Sequence, residues 1–369
     1  MIVTNCPQFS ELDRDIVEDF SECLRENIDA IEDCINLLDT ENDPELIHRL
    51  FRDMHSFKGN CRMVQLDPVA EPIHALEELV SDMRQGSRTY TSFYGEFFMS
   101  IILHIEAMIQ SLASTGEIVG KPQVEMLNLI NTIHFAQPGQ DGKAINDALD
   151  ILSGAEPTNG VMTQTEPAPE PIIEAPLSGT DSDLEFFKTL SLQLDELGIY
   201  KTGRTETLLD LCLSTNEKIS NPVCSVQLSA AIYMHDIGMA LVPRKILEKS
   251  SKLSSSDFNT IQSHLNMGAQ ILQKMSDWQL ASEIVSQHHE KFNGQGYPKG
   301  LSGQDIQPGA MIIALADTFY ALTNERIDRN SKKGIFSAVS LINGESGEQF
   351  NPEFVESFNE TIRHRYVKR

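Results

Sequence analysis

The stretch His288–Leu301, HHEKFNGQGYPKGL, decides how this 369-residue chain is read. Neighbouring side chains on a helix diverge by roughly 100°, so two adjacent imidazoles seldom serve one core contact. Two nitrogen donors at a helix end can instead hold a metal pair from two sides. Gly294, Gly296, Tyr297 and Pro298 then read as a tight, stiff turn. Upstream lie His235-Asp236 in AAIYMHDIGM and His264 in DFNTIQSHLNMGAQIL. Downstream, Asp317 sits in MIIALADTFYAL, where a lone carboxylate among apolar residues is costly unless paired or metal-bound. These four His and two Asp, spread over separate helices, suit a di-metal site for divalent iron, manganese or similar ions.

Outward from this stretch the patterning is helical. From about Leu184 helical periodicity persists nearly to the end, and no alternating strand run of any length appears, so the chain reads as all-α. Residues 10–115 are also rich in helical periodicity. Between them, residues 136–182 carry Pro138, Pro157, Pro167, Pro169, Pro171 and Pro176 among Gly, Thr, Glu and Ala. The run TEPAPEPIIEAP has too little apolar surface for a core and reads as an extended, mobile linker. A short helix at Ala144–Leu152 interrupts it. The expected division is residues 1–135, with a core at about 10–112, then the linker 136–182, then 183–369.

The net charge of −25 argues against a nucleic-acid groove or an anionic membrane surface as partner. No apolar run approaches the roughly 20 residues of a membrane span, and the N-terminus lacks the pattern of a secretory signal. Six scattered cysteines without a CxxC pair read as reduced thiols of a cytoplasmic protein.

In the first module the segment DPELIHRLFRDMHSFKGNCRMVQL begins with Asp43 as N-cap and Pro44 at the first helical position. Ile47, Leu50, Phe51, Met54, Phe57 and Cys61 form one apolar stripe. His55 lies off that stripe, with His48, Arg52, Gly59 and Arg62, on the expected solvent face. Lys58 and Gly59 follow one turn on. Lys58 can supply positive charge beside a phosphorylated imidazole, and Gly59 leaves a bare patch where another protein can approach. His48, His74, His104 and His134 have no such setting.

The HSFKG run resembles the H-x-x-K-G signature of histidine phosphotransfer (Hpt) domains, with the flanking helices DFSECLRENIDAIEDCINLL and PIHALEELVSDMRQG. The resemblance implies an antiparallel four-helix bundle and His55 as phospho-acceptor. Phosphate would pass between His55 and an aspartate on the receiver domain of a response regulator or hybrid histidine kinase. The second module, from about Leu184 to Phe358, resembles the HD-GYP family of cyclic di-GMP phosphodiesterases, a helical HD-superfamily fold. The matching residues are His235-Asp236-Ile237-Gly238, His264, His288-His289-Glu290, Asn293 to Pro298, and Asp317. That resemblance implies metal ligands at His235, Asp236, His264, His288, His289 and Asp317, with Asp236 bridging. It further implies contacts to cyclic di-GMP through Gly296, Tyr297 and Pro298, and a metal-activated hydroxide attacking the phosphate.

Several positions depart from that pattern. In IYKTGRTETLL, Arg204 stands where the family has its first His. A guanidinium cannot ligate a metal; it repels a cation or replaces it by pairing with Asp236 or Asp317. Met239 stands where the family has a phosphate-binding Lys. Asn293 replaces an Asp, Tyr320 an Asp three residues after Asp317, and Arg326-Ile327-Asp328-Arg329 only partly matches Arg-Pro-Tyr-Arg. One metal, on His264, His288, His289 and Asp236, is expected to survive. Two readings stay open: a relay protein whose HD-GYP-like module has weak or lost hydrolysis and senses cyclic di-GMP or mediates protein contacts, or an active phosphodiesterase switched by the relay.

Overall fold

The computed structural model describes residues 3–41, 43–119, 122–136, 141–152, 180–197, 203–247, 249, 252–324 and 332–367. The chain separates into two compact units, divided between Ile172 and Ile173. Most of the expected linker, residues 153–179, lies outside the described residues.

The first unit is built on four long helices, Arg14–Leu38, Pro44–Met63, Asp67–Arg84 and Ser92–Thr115. Each packs on the next and the fourth closes back on the first, giving a bundle around Phe20, Ile31, Leu50, Phe57, Leu76, Phe97 and Ile101. Asp43 caps its helix by accepting from Glu45 N at 3.0 Å, with Pro44 in the first turn. Two further helices extend the unit. Pro122–His134 packs on Asp67–Arg84, and Asp141–Leu152 packs on Ser92–Thr115 while burying Ile145 and Ala148.

Two details differ from the sequence reading. Val3–Asn5 pairs antiparallel with Glu117–Val119, Thr4 opposite Ile118. Three residues are too few for an alternating pattern to register. Ser92–Thr115 is also long and apolar enough to cross a membrane by length and composition. Its Phe97, Phe98, Ile101 and Ile105 are buried, so its apolar character serves the bundle core.

The regular elements of the second unit are all helices among the described residues, apart from the isolated bridges Asn293–Ser302 and Ser346–Phe350. Its core holds Phe187, Trp278, Phe319, Phe336 and Phe358. The site comes from helix ends. Arg204 opens Arg204–Asn216, His235 follows Ser225–Met234, and His264 opens His264–Gln273. His288 follows Gln279–Gln287, while Asp317 lies inside Pro308–Thr323. The sequence reads as one helix through His264. It breaks instead at Ser263, between Ser255–Gln262 and His264–Gln273. The first of these opens with a reciprocal Ser254–Asp257 capping box.

Glycine allows the close approach. A Cβ on Gly238 would lie 2.4 Å from the His264 carbonyl oxygen and 2.6 Å from its Cα. Gly238→Ala is therefore expected to destabilise the second unit by about 1–3 kcal/mol, as overpacking does. The denaturation midpoint measures this, and an unchanged midpoint would show that the His264 backbone yields freely.

Candidate phosphoacceptor site and metal centre

His55 is half-buried, its side chain 20% exposed, rather than open to solvent. Its Nδ1 lies 2.6 Å from Glu77 Oε1 on the neighbouring helix. A carboxylate only accepts, so Nδ1 carries the ring proton and Nε2 keeps the lone pair that a phosphoryl group needs. The expected role of Lys58 changes. Lys58 is buried, and its Nζ donates to Glu77 Oε2 at 2.5 Å instead of standing free beside the imidazole. His74, expected to have no special setting, also reaches Glu77 Oε2, at 3.2 Å. Gly59 lies half-buried one turn past His55. Phe51 stacks on the His55 ring at 6.2 Å, and the Arg84 guanidinium carbon lies 4.1 Å from the centroid of the Phe51 ring.

Glu77 was not singled out by its sequence setting, although a signal exists. It shares a buried face with Ile73, Leu76 and Val80, where an unpaired carboxylate is costly. Burial works to raise its pKa, but the bonds from His55, His74 and Lys58 outweigh it and hold the carboxyl below the usual range. A depressed folded-state value adds stability above the ordinary glutamate pKa of about 4.3, and that stability drains away as pH falls below it. Glu77→Gln strands buried Lys58. It should destabilise the bundle by about 3–5 kcal/mol at neutral pH and flatten the acid slope. Equal pH profiles for the two proteins in chemical denaturation would refute this assignment.

In the second unit the six expected side chains gather as two trios. The ligand atoms of His264, His288 and His289 lie within 4.8 Å of one another, and so do those of His235, Asp236 and Asp317. Each of three imidazoles is fixed by its Nδ1 on a backbone carbonyl: His235 on Ile232 at 2.6 Å, His264 on Ile261 at 2.5 Å, His288 on Val285 at 2.8 Å. A carbonyl accepts only, so these rings present unprotonated Nε2 inward. The buried Nε2 atoms of His264 and His288 have no hydrogen-bond partner. Burial pushes the His289 imidazole down to about 4 and His288 lower than its ordinary value. Neutral imidazoles are the ligating form, so this trio fits a divalent cation.

The other trio is filled from within. Arg204 is buried, and its single nitrogen Nη2 lies 2.6 Å from Asp317 Oδ1, 2.7 Å from Asp236 Oδ2 and 3.1 Å from His235 Nε2. The guanidinium pairs with both carboxylates, where either one was expected. Burial works to raise the Asp236 carboxyl, but the surrounding groups, His235 and Arg204 foremost, hold it well below its ordinary range. Tyr320 stands with its ring 6.0 Å from the guanidinium carbon. A metal does not fit this trio while Arg204 holds it.

Beside the three-His trio, Tyr297 stacks on His289 at 4.9 Å and meets Phe258 edge-on at 5.7 Å. Gly296 is obligatory there, since a Cβ would lie 2.3 Å from Lys291 N; Pro298 is exposed. Glu290 carries no ligand role in this arrangement. Its carboxylate accepts from Lys299 N at 2.7 Å and Leu301 N at 3.1 Å, fixing the turn. Met239 packs with Leu194, Val242 and Ile246 in an apolar cluster. Asn293 accepts from Gln295 N and donates to Glu348. Residues Arg326–Arg329 lie outside the described residues.

Two family models match the chain, one in each unit. A model of the Hpt domain matches residues 15–115 and one of the HD domain matches residues 192–354. A cyclic di-GMP phosphodiesterase of Thermotoga maritima is 36% identical over 138 residues, 37% of each chain. A probable cyclic di-GMP phosphodiesterase of Vibrio cholerae is 34% identical over 34% of this chain and 30% of its own length. A 3′3′-cGAMP-specific phosphodiesterase of the same species is 30% identical over 42% of this chain and 36% of its own. The chain thus spans about a third of these relatives' length. It carries a histidine phosphotransfer (Hpt) domain followed by an HD domain, with sequence similarity to cyclic di-GMP and 3′3′-cGAMP phosphodiesterases.

Proposed function

We propose that this is a cytoplasmic phosphorelay protein in which His55 carries phosphate to or from an aspartate on a receiver domain of a response regulator or hybrid histidine kinase. Its HD-GYP-like domain joins the relay to cyclic di-GMP signalling with weak or lost hydrolysis. The boundaries proposed are residues 1–135, 136–182 and 183–369.

The observation that carries the loss of hydrolysis is the Arg204 nitrogen bonded to both Asp236 and Asp317. Two metals together would supply Lewis acidity to both the attacking and the leaving oxygen of a phosphodiester. The residues that would hold one of the two are neutralised here by a fixed guanidinium. An iron or manganese ion on the imidazoles of His264, His288 and His289 would supply Lewis acidity there. Gly296, Tyr297 and Pro298 would hold cyclic di-GMP beside them. One set of features favours an active phosphodiesterase instead: the three-His trio, with Asp236 Oδ1 3.3 Å from His264 Nε2, and the intact Gly-Tyr-Pro turn.

Incubating the purified chain with Mn²⁺ and cyclic di-GMP separates the two readings. The proposal expects equilibrium binding with product formation at background. Steady conversion to pGpG or GMP that Asp236→Ala abolishes would overturn it in favour of the enzyme.

A further inference from the structure

We propose that the HD-GYP-like centre is mononuclear, and that the Arg204 guanidinium is its permanent second cation. This rests on the reading of the second unit as an HD-GYP-like domain. It goes beyond that reading by naming the charge that replaces the missing metal.

The two oxygens of Asp236 are divided between two tasks. Oδ2 lies 2.7 Å from Arg204 Nη2. Oδ1 faces the other way, 3.3 Å from His264 Nε2 and 3.9 Å from His288 Nε2. A carboxylate that bridges two cations divides its oxygens in this manner, and one of the two cations here is covalently part of the chain. On the Oδ1 side, His264 Nε2 and His288 Nε2 are buried without hydrogen-bond partners, and their Nδ1 atoms are occupied by carbonyls. Lone pairs so arranged are placed to receive a Lewis acid. Three imidazoles and one carboxylate oxygen form a donor set for one first-row divalent ion.

On the Oδ2 side the replacement is anchored. Arg204 opens its helix behind Gly203, whose φ of +89° suits only glycine readily. The next residue, Thr205, donates its N–H to Asp195 Oδ2 at 3.0 Å, and its hydroxyl meets Ser191 Oγ at 2.8 Å. Both partners lie on the Thr180–Glu196 helix. An arginine does not deprotonate in proteins, and a chelator cannot remove it. The carboxylates of Asp236 and Asp317 therefore stay neutralised whatever the metal supply, while only the three-His side responds to it.

The test is a titration of the chelator-stripped full chain with Mn²⁺, read by calorimetry and electron paramagnetic resonance. The wild type should bind one ion and show the six-line signal of isolated Mn²⁺. Arg204→His should bind two and show a spin-coupled pair. His288→Ala should weaken binding at least 100-fold, with circular dichroism showing that the fold is kept. Two ions in the wild type, no ion in the folded wild type, or unchanged affinity in His288→Ala would each overturn the proposal. If Arg204→His does not fold, the wild-type count and His288→Ala still decide. Turnover by a wild type holding one ion would overturn the functional reading alone. A count of two would overturn this inference whatever the turnover.

Discussion

Arg204→His is expected to raise cyclic di-GMP hydrolysis by about 10²–10³-fold over the wild-type background, the effect of restoring one electrostatic contact at a reacting phosphate. The substitution removes the nitrogen that lies within 2.7 Å of both Asp236 Oδ2 and Asp317 Oδ1. It leaves an imidazole beside His235, Asp236 and Asp317, so the trio becomes a four-donor set. The freed carboxylates then repel each other unless a cation enters, which favours loading. Product formation from cyclic di-GMP with Mn²⁺ or Fe²⁺ under anaerobic conditions measures the gain. Asp236→Ala in the same background should return it to zero. If Arg204→His loads a second ion and still turns over at background, the guanidinium is not what silences the site. Adding Met239→Lys, attractive from sequence, is expected to lower the gain. Met239 packs on Leu194, Val242 and Ile246, where an ammonium would be buried without a partner.

What was legible in the sequence follows a physical division. Helix ends, caps and glycines leave local signatures, so the helical class could be read from the residues, whereas the grouping of His235, Asp236, His264, His288, His289 and Asp317 came from the resemblance to a known family. Arg204 was legible as a departure because a guanidinium differs in kind from an imidazole. The features that escaped depend on partners distant in sequence. Glu77 is 22 residues from His55, and only the packing of two helices makes it the group that orients the ring. Lys58 was placed by helical phase on the solvent face. Phase fixes where Cβ points, whereas a long side chain bends to the nearest buried charge. Ile47 and Phe51 were assigned to the core stripe, yet both are only half-buried, because they lie at the bundle's edge. The break at Ser263 escaped because no proline or glycine marks it.

His55→Ala is expected to abolish phosphoryl transfer from a ³²P-labelled receiver domain, reducing label on this chain to background. The argument is one of elimination by geometry. His104 sends Nδ1 to its own helix, to Ser100 O at 2.7 Å, with no carboxylate to raise its basicity. His134 faces Asp82 only at 3.7 Å, at the end of an accessory helix. His74 shares Glu77 and is the strongest competitor, but its bond is 3.2 Å against 2.6 Å for His55, and its side chain is 47% exposed. Among the described residues, only His55 combines a short bond that fixes the proton on Nδ1, a cationic Lys58 on the same carboxylate, and a glycine one turn on at Gly59. A proton held on Nδ1 makes Nε2 the nucleophile, so the phosphoryl group should appear there. Phosphorus NMR distinguishes that isomer from the Nδ1 adduct. His74→Ala should keep most of the label, because Lys58 and His55 still satisfy Glu77. Label that survives in His55→Ala and disappears in His74→Ala would move the acceptor one helix away and reverse the roles of the two histidines on Glu77.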